Sequence, residues 1–89
     1  MLSEVMRRVT YGLDALKALD RIPANTARLI RAKVAQYAAD PRSLANNVKA
    51  LKGDGQFLRM RVGDWRVVFR ATELTVDVVD VGPRGSIYD

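Results

Sequence analysis

The sequence contains neither cysteine nor histidine, and these two absences limit the chemistry available to the chain. Without cysteine it forms no disulfides and no thiolate metal sites, which is compatible with a reducing cytoplasm. Without histidine it lacks the usual general base and the commonest metal ligand. We therefore expect no metal ion and no cofactor, and any proton transfer would have to use another side chain.

Long apolar stretches are also missing. No run approaches the ~20 residues that span a bilayer, and Glu4, Arg7 and Arg8 interrupt the segment where a signal peptide would place its hydrophobic region. The sequence has no repeats, no low-complexity segment and no long linker. We expect a soluble cytoplasmic protein with no membrane partner, in which residues 1–89 form a single domain with a modest core.

Positive charge, in contrast, is abundant. The formal net charge is +5, and eleven of the fifteen basic residues are arginines. The planar guanidinium group suits bidentate recognition of phosphate, so a polyanion or an acidic protein is a reasonable partner. A basic surface that only maintains solubility accounts for the same charge. Charge alone does not decide between these two interpretations.

The N-terminal half shows the pattern of one strand followed by two helices. Residues 4–11 predict the strand, and leucines at helical spacing predict a helix over residues 13–22. The second helix begins at Ala24 or Asn25 and ends at Asp40, which precedes a proline. Its apolar stripe consists of Ala27, Ile30, Val34, Tyr37 and Ala38.

The C-terminal half predicts a loop followed by three strands. Residues 42–56 are interpreted as the loop, with one helical turn near residues 44–51. The strands that follow are joined by two-residue turns at 63–64 and 72–73. The predicted fold is therefore α+β: a small antiparallel sheet, made of the N-terminal strand and a three-stranded C-terminal meander, with two helices packed on one face.

The turn at Gly63-Asp64 determines which side chains share a face of the sheet. It places Val62 opposite Trp65, Met60 opposite Val67, and Leu58 opposite Phe69. All six are apolar, so this face is expected to receive the helices. We expect Trp65, Phe69, Leu58 and Met60, together with Tyr37 of the second helix, to form the core.

The other face of the predicted hairpin carries arginines. Arg61 lies opposite Arg66, Arg59 opposite Val68, and Phe57 opposite Arg70, and Asp77 is expected to join the row of Arg59 and Val68. Like charges directly opposite each other destabilise a strand pair by up to ~1 kcal/mol. A local cost with no structural gain is typical of a functional site. A solvated strand face, partly compensated by Asp77, remains the alternative.

An ordered set of short motifs adds a resemblance to a known family. The motifs are Leu51-Lys52-Gly53, Phe57 with Arg59 and Arg61, Gly63-Asp64-Trp65-Arg66, Val81-Gly82, Arg84 and Tyr88. Residues 13–23, LDALKALDRIP, are similar to the first helix of the same family. Over most of its length the chain resembles the RelE/ParE toxin superfamily of bacterial toxin–antitoxin systems.

The resemblance implies a function and a set of site residues. RelE-like members cleave mRNA in the ribosomal A site, ParE-like members poison DNA gyrase, and some relatives have lost toxicity. The ribonuclease branch uses basic residues on the middle strands, an arginine after the last strand and often a C-terminal tyrosine. Carried over by motif, the expected catalytic residues are Arg59, Arg61, Arg66, Arg84 and Tyr88. Further RNA contacts are expected from Lys49, Lys52 and Arg70.

Suitable side chains occupy all five of the expected catalytic positions. This favours a RelE-like endoribonuclease that cleaves mRNA on the ribosome and inhibits translation. The alternative is a ParE-like gyrase inhibitor, or a non-catalytic homologue that only binds its antitoxin and DNA. The implied partners are a cognate antitoxin protein, mRNA and the ribosome. Operator DNA is expected to be contacted only indirectly, through the antitoxin.

Two positions depart from the family pattern, and Tyr88 would need a lowered pKa to act as a base. Pro83 stands where relatives commonly carry histidine or lysine, and Gly85 replaces a polar or basic residue. Tyr88 is the titratable candidate near the arginines. To act as a base its pKa of ~10 would have to fall, which neighbouring cations favour. Tyr88 is alternatively expected to stack on a base.

Overall fold

The structure, a computed structural model, describes residues 6–51 and 56–85. The elements in chain order are β1 (Arg8–Tyr11), α1 (Leu13–Arg21), α2 (Ala24–Ala39), a 3₁₀ helix (Pro41–Asn47), β2 (Val48–Ala50), β3 (Leu58–Val62), β4 (Trp65–Ala71) and β5 (Thr75–Pro83). The strands form one sheet in the order β1-β5-β4-β3-β2. The predicted α+β fold class is confirmed.

The helices pack on one face of the sheet and bury its apolar side chains. The core cluster consists of Ala15, Leu19, Ile30, Val34, Ala38, Leu44, Met60, Val62, Val67, Phe69, Val76, Val78 and Val81. Tyr37 contacts the ring of Phe69 edge-on, with 4.9 Å between the ring centroids. Leu58 and Trp65 are partly buried against the same cluster. The predicted core residues are thus confirmed, whereas Leu13 and Leu16 of α1 are exposed.

The β3–β4 hairpin has the predicted register. Leu58, Met60 and Val62 pair with Phe69, Val67 and Trp65, and the two intervening pairs are Arg59 with Val68 and Arg61 with Arg66. Gly63 adopts a φ of 59° in the connecting turn. That conformation is open to glycine at little cost, so a two-residue turn forms here and fixes the register.

The sheet is mixed, not antiparallel throughout. β1 pairs with β5 in parallel, from Arg8 opposite Thr75 to Tyr11 opposite Val78. The antiparallel direction expected for the N-terminal strand is therefore wrong. The two strands are far apart in the chain, so no local turn indicates their relative direction.

The segment predicted as a loop over residues 42–56 includes most of the 3₁₀ helix and the additional strand β2. Leu44 buries its side chain in the core and anchors the 3₁₀ helix. β2 then pairs antiparallel with β3, placing Lys49 opposite Arg59. A strand of three residues is too short for its alternation to be recognised in the sequence. The helical turn expected near residues 44–51 thus lies earlier, at Pro41–Asn47, and the description of residues 48–50 as loop is wrong.

The turn between β4 and β5 lies one residue later than predicted. The backbone N–H of Thr72 donates to the carbonyl oxygen of Thr75 at 2.9 Å, which makes Glu73 and Leu74 the central residues. The Thr72 hydroxyl accepts hydrogen bonds from the N–H groups of Leu74 and Thr75. This local side-chain capping, typical of threonine in turns, determines where the turn starts.

The shifted turn changes the position of Asp77. Asp77 pairs with Arg70, and a bulge between Val68 and Phe69 then places Asp80 opposite Val68. The prediction that Asp77 joins the row of Arg59 and Val68 is therefore wrong, and Asp80 takes that position. A bulge inserts one residue into one strand, and hydrophobic alternation does not reveal it when the extra residue, here Val79, is itself apolar.

Within the part of the chain that the structure describes, no helix is long and apolar enough to cross a membrane.

Candidate nucleic-acid interface

The face of the sheet opposite the helices carries cations from three adjacent strands. On β3, Arg59 and Arg61 alternate with core residues and therefore point away from the helices. On β4, Arg66 occupies the same face opposite Arg61. On β2, Lys49 is opposite Arg59. The strand pairing thus gathers four positive charges that are scattered along the sequence.

These cations line a depression of about 90 Å³. Its lining consists of Asn46, Asn47, Lys49, Arg59, Arg61 and Arg66. None of these six lining residues is a carboxylate. The pairs Lys49–Arg59 and Arg61–Arg66 are both like-charge cross-strand neighbours, each of which costs the sheet up to ~1 kcal/mol. A surface that holds cations together at this cost is suited to bind an anion.

Arg66 is the most deeply placed of these cations. Arg66 is 7% exposed. The residue paired with it on β5 is Gly82, which has no side chain. The Nη1 atom donates to the carbonyl oxygen of Trp65 at 3.4 Å. A buried guanidinium is retained only with its polar atoms satisfied. Burial places this positive charge within the sheet face, where it is less screened by solvent than an exposed arginine would be.

Arg70 belongs to a different polar group at the other end of the sheet. Its Nη2 atom is 3.6 Å from Oδ2 of Asp77, and the Thr10 hydroxyl donates to Oδ1 of Asp77 at 2.7 Å. Arg70 does not line the depression. A half-exposed ion pair of this kind adds little stability. Its effect on the site is to neutralise a cation that would otherwise extend the basic surface.

The other predicted site residues fall outside the depression or outside the described ranges. Arg84 directly follows β5, and its backbone N–H donates to the carbonyl oxygen of Asp64 at 2.8 Å. Its side chain is exposed and is not among the lining residues. Lys52 and Tyr88 lie outside the described residues. The structure thus brings together Lys49, Arg59, Arg61 and Arg66, four of the eight predicted residues.

Two residues of the depression were not predicted from the sequence. Asn46 and Asn47 end the 3₁₀ helix immediately before β2, and both are exposed. The sequence predicts a loop at these positions, and a loop does not indicate that the amides lie beside the arginines. The available signal was the pair of neighbouring amides just before a valine-lysine-alanine strand, which becomes informative only once β2 is known to pair with β3.

One titratable group with a shifted pKa lies on the opposite side of the sheet. Burial raises the pKa of Tyr11, and the nearby Arg31 guanidinium partly offsets that effect. The Arg31 guanidinium carbon lies 4.8 Å from the ring centroid of Tyr11, a cation–π contact between α2 and β1. In residues 6–51 and 56–85, no group of three or more acidic, cysteine or histidine side chains is arranged to hold a metal ion.

The fold is similar to that of several solved toxins. The RelE chain of the archaeal RelE–RelB complex from Pyrococcus horikoshii OT3 is 24% identical, with a TM-score of 0.76 over 92% of this chain and 99% of that one. The isolated Escherichia coli RelE toxin is 18% identical, with a TM-score of 0.71 over 88% and 84%. The YoeB/ParE toxin from Agrobacterium tumefaciens is 17% identical, with a TM-score of 0.69 over 86% and 98%.

Comparison at the level of sequence identifies the family. A search of the curated proteins found no significant match. The family model described as the ParE toxin of the type II toxin–antitoxin system parDE matches residues 9–88, which is nearly the whole chain. This match includes all five strands and both α-helices apart from the first residue of β1. The protein therefore belongs to the ParE toxin family of type II toxin–antitoxin systems, within the RelE/ParE superfamily.

Proposed function

We propose that this toxin is an endoribonuclease that cleaves mRNA on the ribosome and thereby inhibits translation. The observation that carries the proposal is the depression on the open face of the sheet, where Lys49, Arg59, Arg61 and Arg66 converge. Four cations from three adjacent strands converge at this one point, and two like-charge cross-strand pairs are kept there at a cost to the sheet. Arg66 contributes a buried positive charge to this surface.

The chemistry that this surface supports is attack of an RNA 2′-hydroxyl on the adjacent phosphate. The O2′–P bond forms, the P–O5′ bond breaks, the 2′-hydroxyl loses its proton and the 5′ oxygen gains one. Negative charge builds up on the phosphate oxygens during this step, and fixed guanidinium donors stabilise it. In this proposal Arg61 and Arg66, opposed across the hairpin, hold the reacting phosphate, and Arg59 and Lys49 hold its neighbours.

The proton transfers need a group other than arginine, because arginine does not deprotonate in proteins. We assign this role to Tyr88, with Arg84 supplying further positive charge near the C-terminal end of β5. A site without histidine has limited acid–base power, so alignment of the 2′-hydroxyl with the phosphate must supply much of the rate. A ribosome that holds the mRNA in the A site would provide that alignment, which is why we propose ribosome-dependent cleavage.

We further propose a cognate antitoxin as the regulatory partner of this chain. The similar archaeal RelE was solved as a complex with RelB, as was the RelE of Methanococcus jannaschii. An acidic or amphipathic antitoxin segment covering the depression would block substrate phosphates. In this account the toxin acts in the cytoplasm as a single domain and contacts operator DNA only through the antitoxin.

Gyrase inhibition is the second candidate, and one observation favours it. The family model that matches is that of ParE toxins, whose implied target is gyrase, whereas the similar solved structures include RelE and YafQ toxins. Identities of 11–24% to the solved toxins define the fold and leave the target open. The two candidates require different substrates and are separated directly by experiment.

The test is an in-vitro translation reaction with purified toxin, followed by mapping of mRNA 5′ ends, beside a gyrase supercoiling assay. We expect new mRNA ends within codons at the ribosomal A site, none when ribosomes are omitted, and unimpaired supercoiling. Intact mRNA together with inhibited supercoiling would establish the gyrase function instead.

A further inference from the structure

The depression contains two kinds of group, and the cations account for only one of them. Lysine and arginine side chains are donors without an acceptor. They bind the phosphates of RNA and DNA equally well, because both backbones carry the same charge. Among the side chains that line the depression, hydrogen-bond acceptors come only from Asn46 and Asn47, through their amide oxygens.

The position of these amides suits a neutral part of a nucleotide. Both asparagines are exposed, and they border the same depression as Lys49 and Arg59. Asn47 immediately precedes β2, whose pairing with β3 places Lys49 directly opposite Arg59. A phosphate held by these cations would carry its own ribose within the same small space. The ribose 2′-hydroxyl both donates and accepts a hydrogen bond, and it distinguishes RNA from DNA.

We propose that Asn46 and Asn47 bind the ribose 2′-hydroxyl of a nucleotide held in the depression and so make the surface selective for RNA over DNA. The hydroxyl O–H donates to an amide oxygen, which the guanidinium and ammonium groups cannot replace. This inference rests on the proposed function and deepens it, since it assigns the substrate class to two residues that bear no charge. A role in chain turning alone, common for asparagine, predicts no difference between RNA and DNA.

Equilibrium binding to two short single-stranded oligonucleotides of the same sequence, one RNA and one DNA, tests the inference. Fluorescence anisotropy at low salt measures both affinities, and electrophoresis afterwards confirms that the RNA is intact. Wild-type protein should prefer RNA by about tenfold, the value of one ordinary net hydrogen bond. Replacement of both asparagines by alanine should abolish that preference while leaving DNA affinity within about twofold.

Two further variants sharpen the result. Asn46→Asp with Asn47→Asp keeps the acceptor oxygens and adds negative charge beside the cations, so both affinities should fall while the RNA preference persists. Asn25→Ala removes an exposed asparagine at the start of α2, on the helix-covered side of the sheet, and should change neither affinity. Circular dichroism of each variant confirms that folding is retained.

Several outcomes would overturn the inference. Equal binding of RNA and DNA by the wild type, or an unchanged preference in the alanine double variant, would each do so. With mRNA still cleaved on ribosomes, those results would leave the proposed function intact. Failure to bind either oligonucleotide at low salt would also overturn it. The proposed function fails separately, when programmed ribosomes leave the mRNA intact.

Discussion

Arg66 combines a cost in sheet stability with a central place in the proposed site. It is buried, it faces another arginine across the hairpin, and it lines the cationic depression. Methionine occupies a similar volume and removes the repulsion between Arg66 and Arg61, a like-charge pair that costs the strands up to ~1 kcal/mol. Arg66→Met should therefore abolish growth inhibition while leaving the free energy of unfolding unchanged or higher.

Growth of cells expressing each variant, together with urea denaturation of the purified proteins, measures both effects. Arg28→Met is the matched control, because Arg28 is an exposed arginine on α2, away from the depression. It should remain toxic. Undiminished toxicity of soluble Arg66→Met protein would remove Arg66 from the site.

Tyr88 carries the proposed proton transfer, and the Tyr88→Phe variant isolates its hydroxyl. If the hydroxyl moves or orients a proton, cleavage should slow by ~10²–10⁴-fold, the range typical of a lost acid–base group. If the ring packs or stacks, phenylalanine should be nearly neutral and alanine damaging. Single-turnover cleavage on programmed ribosomes distinguishes these results. A phenylalanine variant as fast as wild type would exclude proton chemistry at this position.

Helix α2 packs on the face of the sheet opposite the depression and contributes no residue to its lining. Ile30 is fully buried, whereas its neighbour Leu29 is 49% exposed. Ile30→Ala should reduce the free energy of unfolding by about 2–5 kcal/mol because it leaves a cavity in the core. Leu29→Ala removes a side chain of the same size from the surface and should cost about 0.5 kcal/mol or less.

Urea denaturation of the two variants tests this difference between adjacent positions. Similar losses in both would mean that α2 does not pack as described. Binding of RNA by the folded fraction should be unaffected in either variant.

The elements differ in how far the sequence predicts them, and the reason is the range of the interactions that form them. The β3–β4 hairpin was predicted pair by pair because Gly63 and the alternation around it act locally. The parallel direction of β1 depends on pairing with a strand at the other end of the chain. The bulge opposite Val68 is hidden by the apolar Val79.

The residues of the candidate site likewise differ in whether local or long-range interactions bring them together. Arg61 and Arg66 were predicted to meet because one turn joins their strands. Asn46 and Asn47 were not, because their place beside the arginines depends on β2, which is three residues long. Arg70 was expected to bind RNA, and only the shifted β4–β5 turn reveals its pairing with Asp77.

For the molecule as a whole, a net charge of +5 should affect the rate at which it associates with a charged partner. An acidic antitoxin segment would be attracted over a distance set by screening, so association should slow markedly as salt rises. Co-expression with the product of the adjacent gene, followed by pull-down and stopped-flow binding between low and high salt, measures this. We expect restored growth and a salt-sensitive association rate. Failure of any neighbouring product to bind or to restore growth would contradict the antitoxin prediction.

The central claim is that the cationic depression cleaves mRNA held by the ribosome. The most direct measurement is single-turnover cleavage of a defined mRNA on purified programmed ribosomes, comparing wild type with Arg66→Met and with the Arg28→Met control. We predict cleavage within the A-site codon by the wild type and the control, no cleavage without ribosomes, and a loss of at least ~10²-fold in rate for Arg66→Met, as for removal of one preorganised oxyanion donor. Intact mRNA with wild-type toxin, or equal rates for all three proteins, would contradict the account.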